Sequence, residues 1–140
     1  MRGLDTNILV RFLTRDDPRQ SEIALALIEH AESEGERLHI SIPVLSELAW
    51  VLRGGTYRFG RIEIADALAL ILQCPVFAVQ ECDLVRLSIE DYRGGRGDFS
   101  DYLIGRLDRK AGCSETLTFD RRLAESAAFV IPREAPGKIR

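Results

Sequence analysis

The chain has 140 residues and a formal net charge of −3, from 22 acidic and 19 basic side chains. This length suits a single domain with its own core, and a hydrophobic content of 46% excludes a disordered or fibrous chain. Seventeen of the 19 basic residues are arginine, but the slightly acidic balance excludes a histone-like protein and argues weakly against a nucleic-acid partner.

Short strand candidates alternate with helix candidates along the chain. The predicted strands are residues 1–4, 37–41, 76–79, 115–118 and 129–131, and apolar residues recur at helical spacing over 8–13, 23–28, 44–52, 62–72, 84–89 and 103–107. This alternation predicts a single α/β domain with a central, mostly parallel sheet of about five strands and helices on both faces. The domain is expected over residues 1–132, followed by a C-terminal tail at 133–140.

Nothing in the sequence indicates export or a membrane. The longest unbroken apolar run, 67–72, is far shorter than the roughly 20 residues of a membrane-spanning helix. Charges at Arg2, Asp5 and Arg11 interrupt any signal-peptide core. Three cysteines without CxxC spacing give no disulfide or zinc pattern, so we expect a cytoplasmic protein that has no membrane contact.

Four aspartates stand where a helix is predicted to begin. Asp5 and Asp120 directly follow predicted strands, and Asp98 and Asp101 precede the helix at 103–107; a short helix is expected over 121–127, after Asp120. Taken singly, each aspartate is explained as a helix cap or as an acid in the first helical turn. In a parallel sheet, however, such positions gather at the carboxyl edge, where ligands bind.

Glu47 is not explained by capping, because it lies inside a predicted helix about 40° from Val51, at the rim of the apolar face. Together with the aspartates it predicts an oxygen-only site, and such ligands favour Mg²⁺ or Mn²⁺ over zinc. In the last helix Asp101 lies nearer the apolar face than Asp98, which favours Asp101 as the direct ligand and Asp98 as a cap or supporting acid.

The segments that carry these acids resemble the PIN domain family, and more closely the VapC-type toxin ribonucleases. The resemblance runs in order through residues 4–10 (LDTNILV), 13–18 (LTRDDP), 43–48 (PVLSEL), 97–104 (GDFSDYLI), 111–113 (AGC) and 118–120 (TFD). It implies a pocket that binds one or two Mg²⁺ or Mn²⁺ ions, lined by Asp5, Glu47, Asp101 and Asp120 with Asp98 as a companion. Thr6, Asn7 and Thr118 would orient these carboxylates by hydrogen bonds.

This resemblance predicts a metal-dependent endoribonuclease that acts as the toxin of a toxin–antitoxin pair. Arginine would contact the RNA, since its planar fork suits phosphate oxygens; we expect substrate contacts from Arg93, Arg96 and Arg106. The resemblance also implies a homodimer and a VapB-type antitoxin that blocks the pocket. Trp50 is a possible groove anchor, although a core position is favoured.

Two other interpretations remain open. One is a degenerate PIN domain that serves as an RNA-binding or protein-interaction module, against which the retention of all four acids counts. The other is a different Mg²⁺-dependent phosphate hydrolase of the haloacid dehalogenase type, which requires a second aspartate where this chain has Asn7.

Overall fold

A computed structural model of the chain describes residues 1–133. Its five strands are β1 (Arg2–Gly3), β2 (Leu38–Ile40), β3 (Phe77–Val79), β4 (Thr116–Leu117) and β5 (Phe129–Val130). Its six α-helices are α1 (Thr6–Thr14), α2 (Pro18–Ser33), α3 (Ile42–Arg53), α4 (Arg61–Gln73), α5 (Cys82–Gly94) and α6 (Phe99–Lys110). The predicted α/β class and the order of its elements are confirmed, whereas all of the predicted tail except Arg133 lies outside the described residues.

The strands form two small parallel sheets, so the prediction of one central sheet of about five strands is wrong. In the first sheet β2 lies between β1 and β3, with His39 opposite both Gly3 and Ala78. In the second, β4 pairs with β5. A single sheet would require strands such as β1 and β4 to pair with each other. Each of these strands has only two residues, which are mostly exposed, so neither has the alternation of buried and exposed side chains that sets a register.

The segment after β4 also differs from its prediction. The helix expected over 121–127 is confined to a single 3₁₀ turn, Arg121–Leu123. The backbone carbonyl of Ala128 already accepts a hydrogen bond from the Thr116 amide (2.8 Å), so the chain must return to an extended course at that point. Between the turn and β5 the backbone hydrogen bonds span three residues, as from the Ser126 N–H to the Leu123 carbonyl (3.0 Å), which is the pattern of turns and 3₁₀ structure and not of an α-helix.

The core is built mainly from the apolar faces of the helices around the first sheet. Helix α3 shows how this orients the site: Leu45, Leu48 and Leu52 are buried, whereas Glu47 is exposed. In the first sheet Leu38 and Ile40 of β2 are fully buried. The opposite, exposed side of α3 is therefore free for functional groups.

The three strands of the first sheet run parallel, and each leads into a helix at the same edge. Helix α1 follows β1, α3 follows β2 and α5 follows β3. The Gln80 side chain, just after β3, accepts a hydrogen bond from the Ile42 amide (2.9 Å) and ties two of these connections together. Asp5, at the start of α1, and Glu47, in the second turn of α3, are thereby placed toward this edge.

In the described part of the chain, no helix has both the length and the apolar character needed to cross a membrane.

Candidate active site

The start of α6 holds two of the predicted acids in a fixed relation. Asp98 is the N-cap residue, and its backbone N–H donates to Oδ2 of Asp101 (2.8 Å), three residues later. This is half of a capping box, in which an acid in the first turn satisfies a free backbone donor. The preceding loop is held by the Tyr102 hydroxyl oxygen, which accepts hydrogen bonds from the amides of Arg96 and Gly97 (both 3.1 Å). The orientation of Asp101 is thus set by helix formation itself.

Arg122 joins these acids to Asp120. Both carboxylate oxygens of Asp120 accept hydrogen bonds from the Arg122 guanidinium, the shortest from Nη2 at 2.6 Å. The same Nη2 atom lies 3.7 Å from Oδ2 of Asp98 and 3.9 Å from Oδ2 of Asp101. Three of the predicted acids therefore converge on one positive group.

The ionisation of this cluster follows from those contacts. Hydrogen bonds from the side chain and the backbone of Arg122 hold the pKa of Asp120 below its usual range, because they stabilise the carboxylate form. Reciprocally, the hydrogen bond to Asp120 is the main cause of the raised pKa of Arg122, to which the charges of Asp98 and Asp101 also contribute. Asp120 is therefore negatively charged at neutral pH.

Arg53, at the end of α3, forms an ion pair with Oδ1 of Asp98, the carboxylate oxygen that does not face Arg122. A shallow depression beside this pair is lined by Ser46, Trp50, Arg53, Tyr92, Asp98 and Ser100. The Trp50 residue is 68% exposed, so the favoured prediction of a core position is wrong. At about 100° per residue it lies roughly 200° from Leu48, which turns it away from the buried face of α3.

Asp5 and Glu47 have fewer partners. Oδ1 of Asp5 accepts a hydrogen bond from the Thr6 amide (2.8 Å), which confirms Asp5 as the N-cap of α1. Glu47 is exposed and has no hydrogen bond or ion pair within residues 1–133. The Arg122 guanidinium lies within 4 Å of neither carboxylate. The structure thus brings Asp98, Asp101 and Asp120 together and places Asp5 and Glu47 outside their ion-pair network.

The polar residues predicted to orient these acids differ in their contacts. Thr118 Oγ1 accepts a hydrogen bond from the Asp120 amide (3.0 Å) and so supports the turn that carries this acid. Thr6 is buried, and its Oγ1 atom has no hydrogen-bond partner. Asn7 is exposed. Thr118 therefore contacts the backbone of Asp120. The Thr6 hydroxyl is buried next to Asp5 in the chain and makes no hydrogen bond in the structure.

The three arginines predicted to contact substrate are each paired with an acid of the same chain. Arg106 forms two hydrogen bonds with Asp91 (2.7 and 2.8 Å), Arg96 pairs with Glu125, and Arg93 bridges Asp66 and Glu90. Arg122 and Arg53, which do contact the predicted acids, were not singled out from the sequence. The only available signal for Arg122 was its position two residues after an acid at a turn.

The donor chemistry of the cluster fits a hard divalent cation. All the predicted ligands are carboxylates, which suit Mg²⁺ and Mn²⁺, and three of them already surround a positive charge. As they stand, the side chains of residues 1–133 include no group of three or more His, Cys, Asp or Glu arranged to hold a metal ion. A bound cation would therefore require the side chains around Arg122 to rearrange.

An α/β domain with acids at helix starts that follow parallel strands belongs to a class of folds that commonly bind ligands at that edge. A family model described as PIN domain matches residues 4–128, nearly the whole chain, and the chain belongs to that family. PIN domains are generally nucleases, and those nucleases typically use divalent metals. No curated protein and no solved structure matches the chain.

Proposed function

We propose that this PIN domain is a Mg²⁺- or Mn²⁺-dependent endoribonuclease and that it acts as the toxin of a toxin–antitoxin pair. The observation that carries the proposal is the convergence of Asp98, Asp101 and Asp120 on a single positive centre. Three carboxylates close together repel one another, and a cation among them stabilises the arrangement. The family supports nuclease chemistry at such a group.

Cleavage of a phosphodiester needs a water oxygen in line with the leaving oxygen and positive charge near the phosphate. Asp5, Glu47, Asp101 and Asp120 would hold the metal ion, with Asp98 beside them. A divalent ion bound there supplies the positive charge that favours deprotonation of water and stabilises the phosphate as it gains negative charge. The cap at Asp98 fixes the direction of Asp101, and Thr118 supports the backbone at Asp120.

RNA as the substrate is supported by the side chains around the acids. Arg53 and Arg122 border the cluster, and guanidinium groups bind phosphate oxygens through paired hydrogen bonds. The exposed Trp50 ring lies in the same depression as Arg53 and Asp98, and aromatic rings stack on unpaired bases. These groups favour a single-stranded or looped segment. Substrate contacts also remain predicted for Arg93, Arg96 and Arg106. To bind RNA, these side chains would first have to break their present ion pairs.

The proposal is tested by incubating the purified chain with total cellular RNA and mapping new ends by sequencing. We expect internal cleavage at a limited set of sites with Mg²⁺ or Mn²⁺, and a loss of those ends when EDTA is present. Restoring the metal in excess should restore the same ends. Cleavage that persists in EDTA, or no new ends in any metal, would contradict the proposed reaction.

A degenerate PIN module is the second candidate, and two observations favour it. Arg122 already neutralises part of the cluster, and no metal-ready group is present within residues 1–133. Titration of the chain with Mn²⁺ in a calorimeter separates the two candidates. A stoichiometric site that is lost in Asp5→Asn supports the enzyme, whereas a binding module needs no such site.

The proposed partners are a second copy of the chain and a VapB-type antitoxin that covers the pocket. Exposed apolar side chains support such contacts. Leu117 in β4 and Phe119 just after it are 63% and 83% exposed, and the exposed Trp50 lines the same depression as Asp98. We expect size-exclusion chromatography with light scattering to give the mass of a dimer at micromolar concentration. A monomer that persists across the accessible concentration range would remove the dimer from the proposal.

A further inference from the structure

Arg122 has a contact pattern that a simple surface ion pair would not require. Its guanidinium bonds both oxygens of Asp120, and its Nη2 atom also lies within 4 Å of Asp98 and Asp101, on a different helix. Arg53 adds a second guanidinium at Asp98. Three carboxylates facing two guanidiniums leave one negative charge uncompensated, so the cluster retains an attraction for further cations.

A divalent metal and the Arg122 guanidinium compete for the same space. Nη2 lies 2.6 Å from Oδ2 of Asp120, on the side that faces Asp98 and Asp101. Mg²⁺ binds carboxylate oxygens at about 2.0–2.1 Å, which leaves no room for a guanidinium between the same oxygens. One of the two cations must leave when the other binds.

The side chain of Arg122 is free to leave. It is 41% exposed, and its acid partners are each 25–29% exposed. Ion pairs at this exposure contribute little to stability. Arg122 lies in the short 3₁₀ turn and not in the hydrophobic core, so its movement requires no repacking.

From these contacts we infer that Arg122 is an internal counter-cation of the acid cluster, which holds Asp98, Asp101 and Asp120 in the metal-free protein and is displaced when a divalent metal binds. The inference rests on the proposed metal-dependent function and adds a residue that competes with the metal. Pairing with Arg122 explains why the three carboxylates lie around one point, although within residues 1–133 no acids are arranged to hold a metal ion. The affinity for the metal is then set partly by a side chain that is not a ligand.

The test is calorimetric titration with Mn²⁺ of the wild-type chain, Arg122→Gln, Arg122→Lys and Arg121→Gln. Arg121 is the matched control, since it is exposed, lies next to Arg122 and has no ion pair or side-chain hydrogen bond within residues 1–133. Both glutamine variants change the net charge equally. Removing the competing charge should lower the Kd for Mn²⁺ about tenfold in Arg122→Gln and less than about twofold in Arg121→Gln. Arg122→Lys, which keeps the charge, should stay nearer to the wild type.

The outcomes separate this inference from the proposed function. Equal Kd values for Arg122→Gln and Arg121→Gln would overturn the role of Arg122 and leave the metal-dependent enzyme in place. No Mn²⁺ binding by any of the four proteins would overturn both.

A second measurement follows the Arg122 side chain of the wild-type chain directly, and a variant is needed only to assign its signal. The Nε–H group of Arg122 bonds both oxygens of Asp120 (3.0 and 3.1 Å) and should give a protected side-chain signal in the nitrogen–proton NMR spectrum. The signal is assigned by its absence in Arg122→Gln. Mg²⁺ should shift or broaden it with the midpoint found for Mg²⁺ by calorimetry. A signal that stays unchanged while Mg²⁺ binds would contradict displacement.

Discussion

The double variant Asp5→Asn with Glu47→Gln is expected to reduce metal-dependent RNA cleavage by about 100-fold or more, because it removes two of the negative charges that we propose hold the metal. The fold should remain intact. Asparagine caps a helix about as well as aspartate, so the bond from the Thr6 amide can be kept. Glu47 is exposed and without hydrogen bonds within residues 1–133, so its amide replaces no structural contact. Single-turnover cleavage of a mapped RNA site measures the effect, and circular dichroism checks the fold.

The control is a double variant with the same change of charge away from the acids, Glu29→Gln with Glu32→Gln. Both residues are exposed and lie in the last two turns of α2, which leads into the first residue of β2, at the opposite edge of the first sheet from Asp5 and Glu47. We expect cleavage within about twofold of the wild type for this control, because distant exposed charges are screened. If the Asp5–Glu47 variant cleaved as fast as the control, those two residues would have no part in the reaction.

The largest expected loss of stability follows Phe99→Ala. Phe99 is the first residue of α6, is 2% exposed and packs edge-to-face on Tyr92 at a centroid distance of 6.0 Å. Removing a buried aromatic ring costs about 3–5 kcal/mol of the free energy of unfolding, from lost burial and a remaining cavity. The Tm should fall by roughly 10–17 °C. Urea and thermal denaturation measure both quantities.

Phe119→Ala, compared at a protein concentration at which the chain is monomeric, is the matched control, because the same ring is removed where it is 83% exposed. It should change the free energy of unfolding by less than about 0.5 kcal/mol. Phe99→Leu, which keeps much of the buried volume, should be intermediate. If the two alanine variants lowered the free energy of unfolding equally, Phe99 would not anchor the start of α6, where Asp98 and Asp101 lie.

The elements could be predicted because their signals are local. Apolar spacing marked all six α-helices, and the capping pattern at Asp98 and Asp101 matches the observed start of α6. Which strands pair depends on contacts between distant segments, and two-residue strands such as β1 and β4 carry almost no pattern to predict them. The split into two sheets therefore could not be predicted from the sequence. The exposure of Trp50 could have been predicted, because the helical spacing that buries Leu48 turns Trp50 outward.

Part of the acid cluster could also be predicted from local signals in the sequence. Asp98, Asp101 and Asp120 follow from their places at helix and turn starts, and the structure brings these three together. Arg122 could not be predicted, because the direction of its side chain depends on how the 3₁₀ turn sits against α6. The relation of Asp5 and Glu47 to the other acids stays a prediction.

The exposed ring of Trp50 gives this protein a built-in optical reporter. It is the only tryptophan in the chain, and it lines the depression that also contains Arg53 and Asp98. Excitation near 295 nm therefore gives emission from this one place. An unlabelled RNA oligonucleotide that stacks there should quench the emission, and its occupancy can be followed in real time without modifying either molecule.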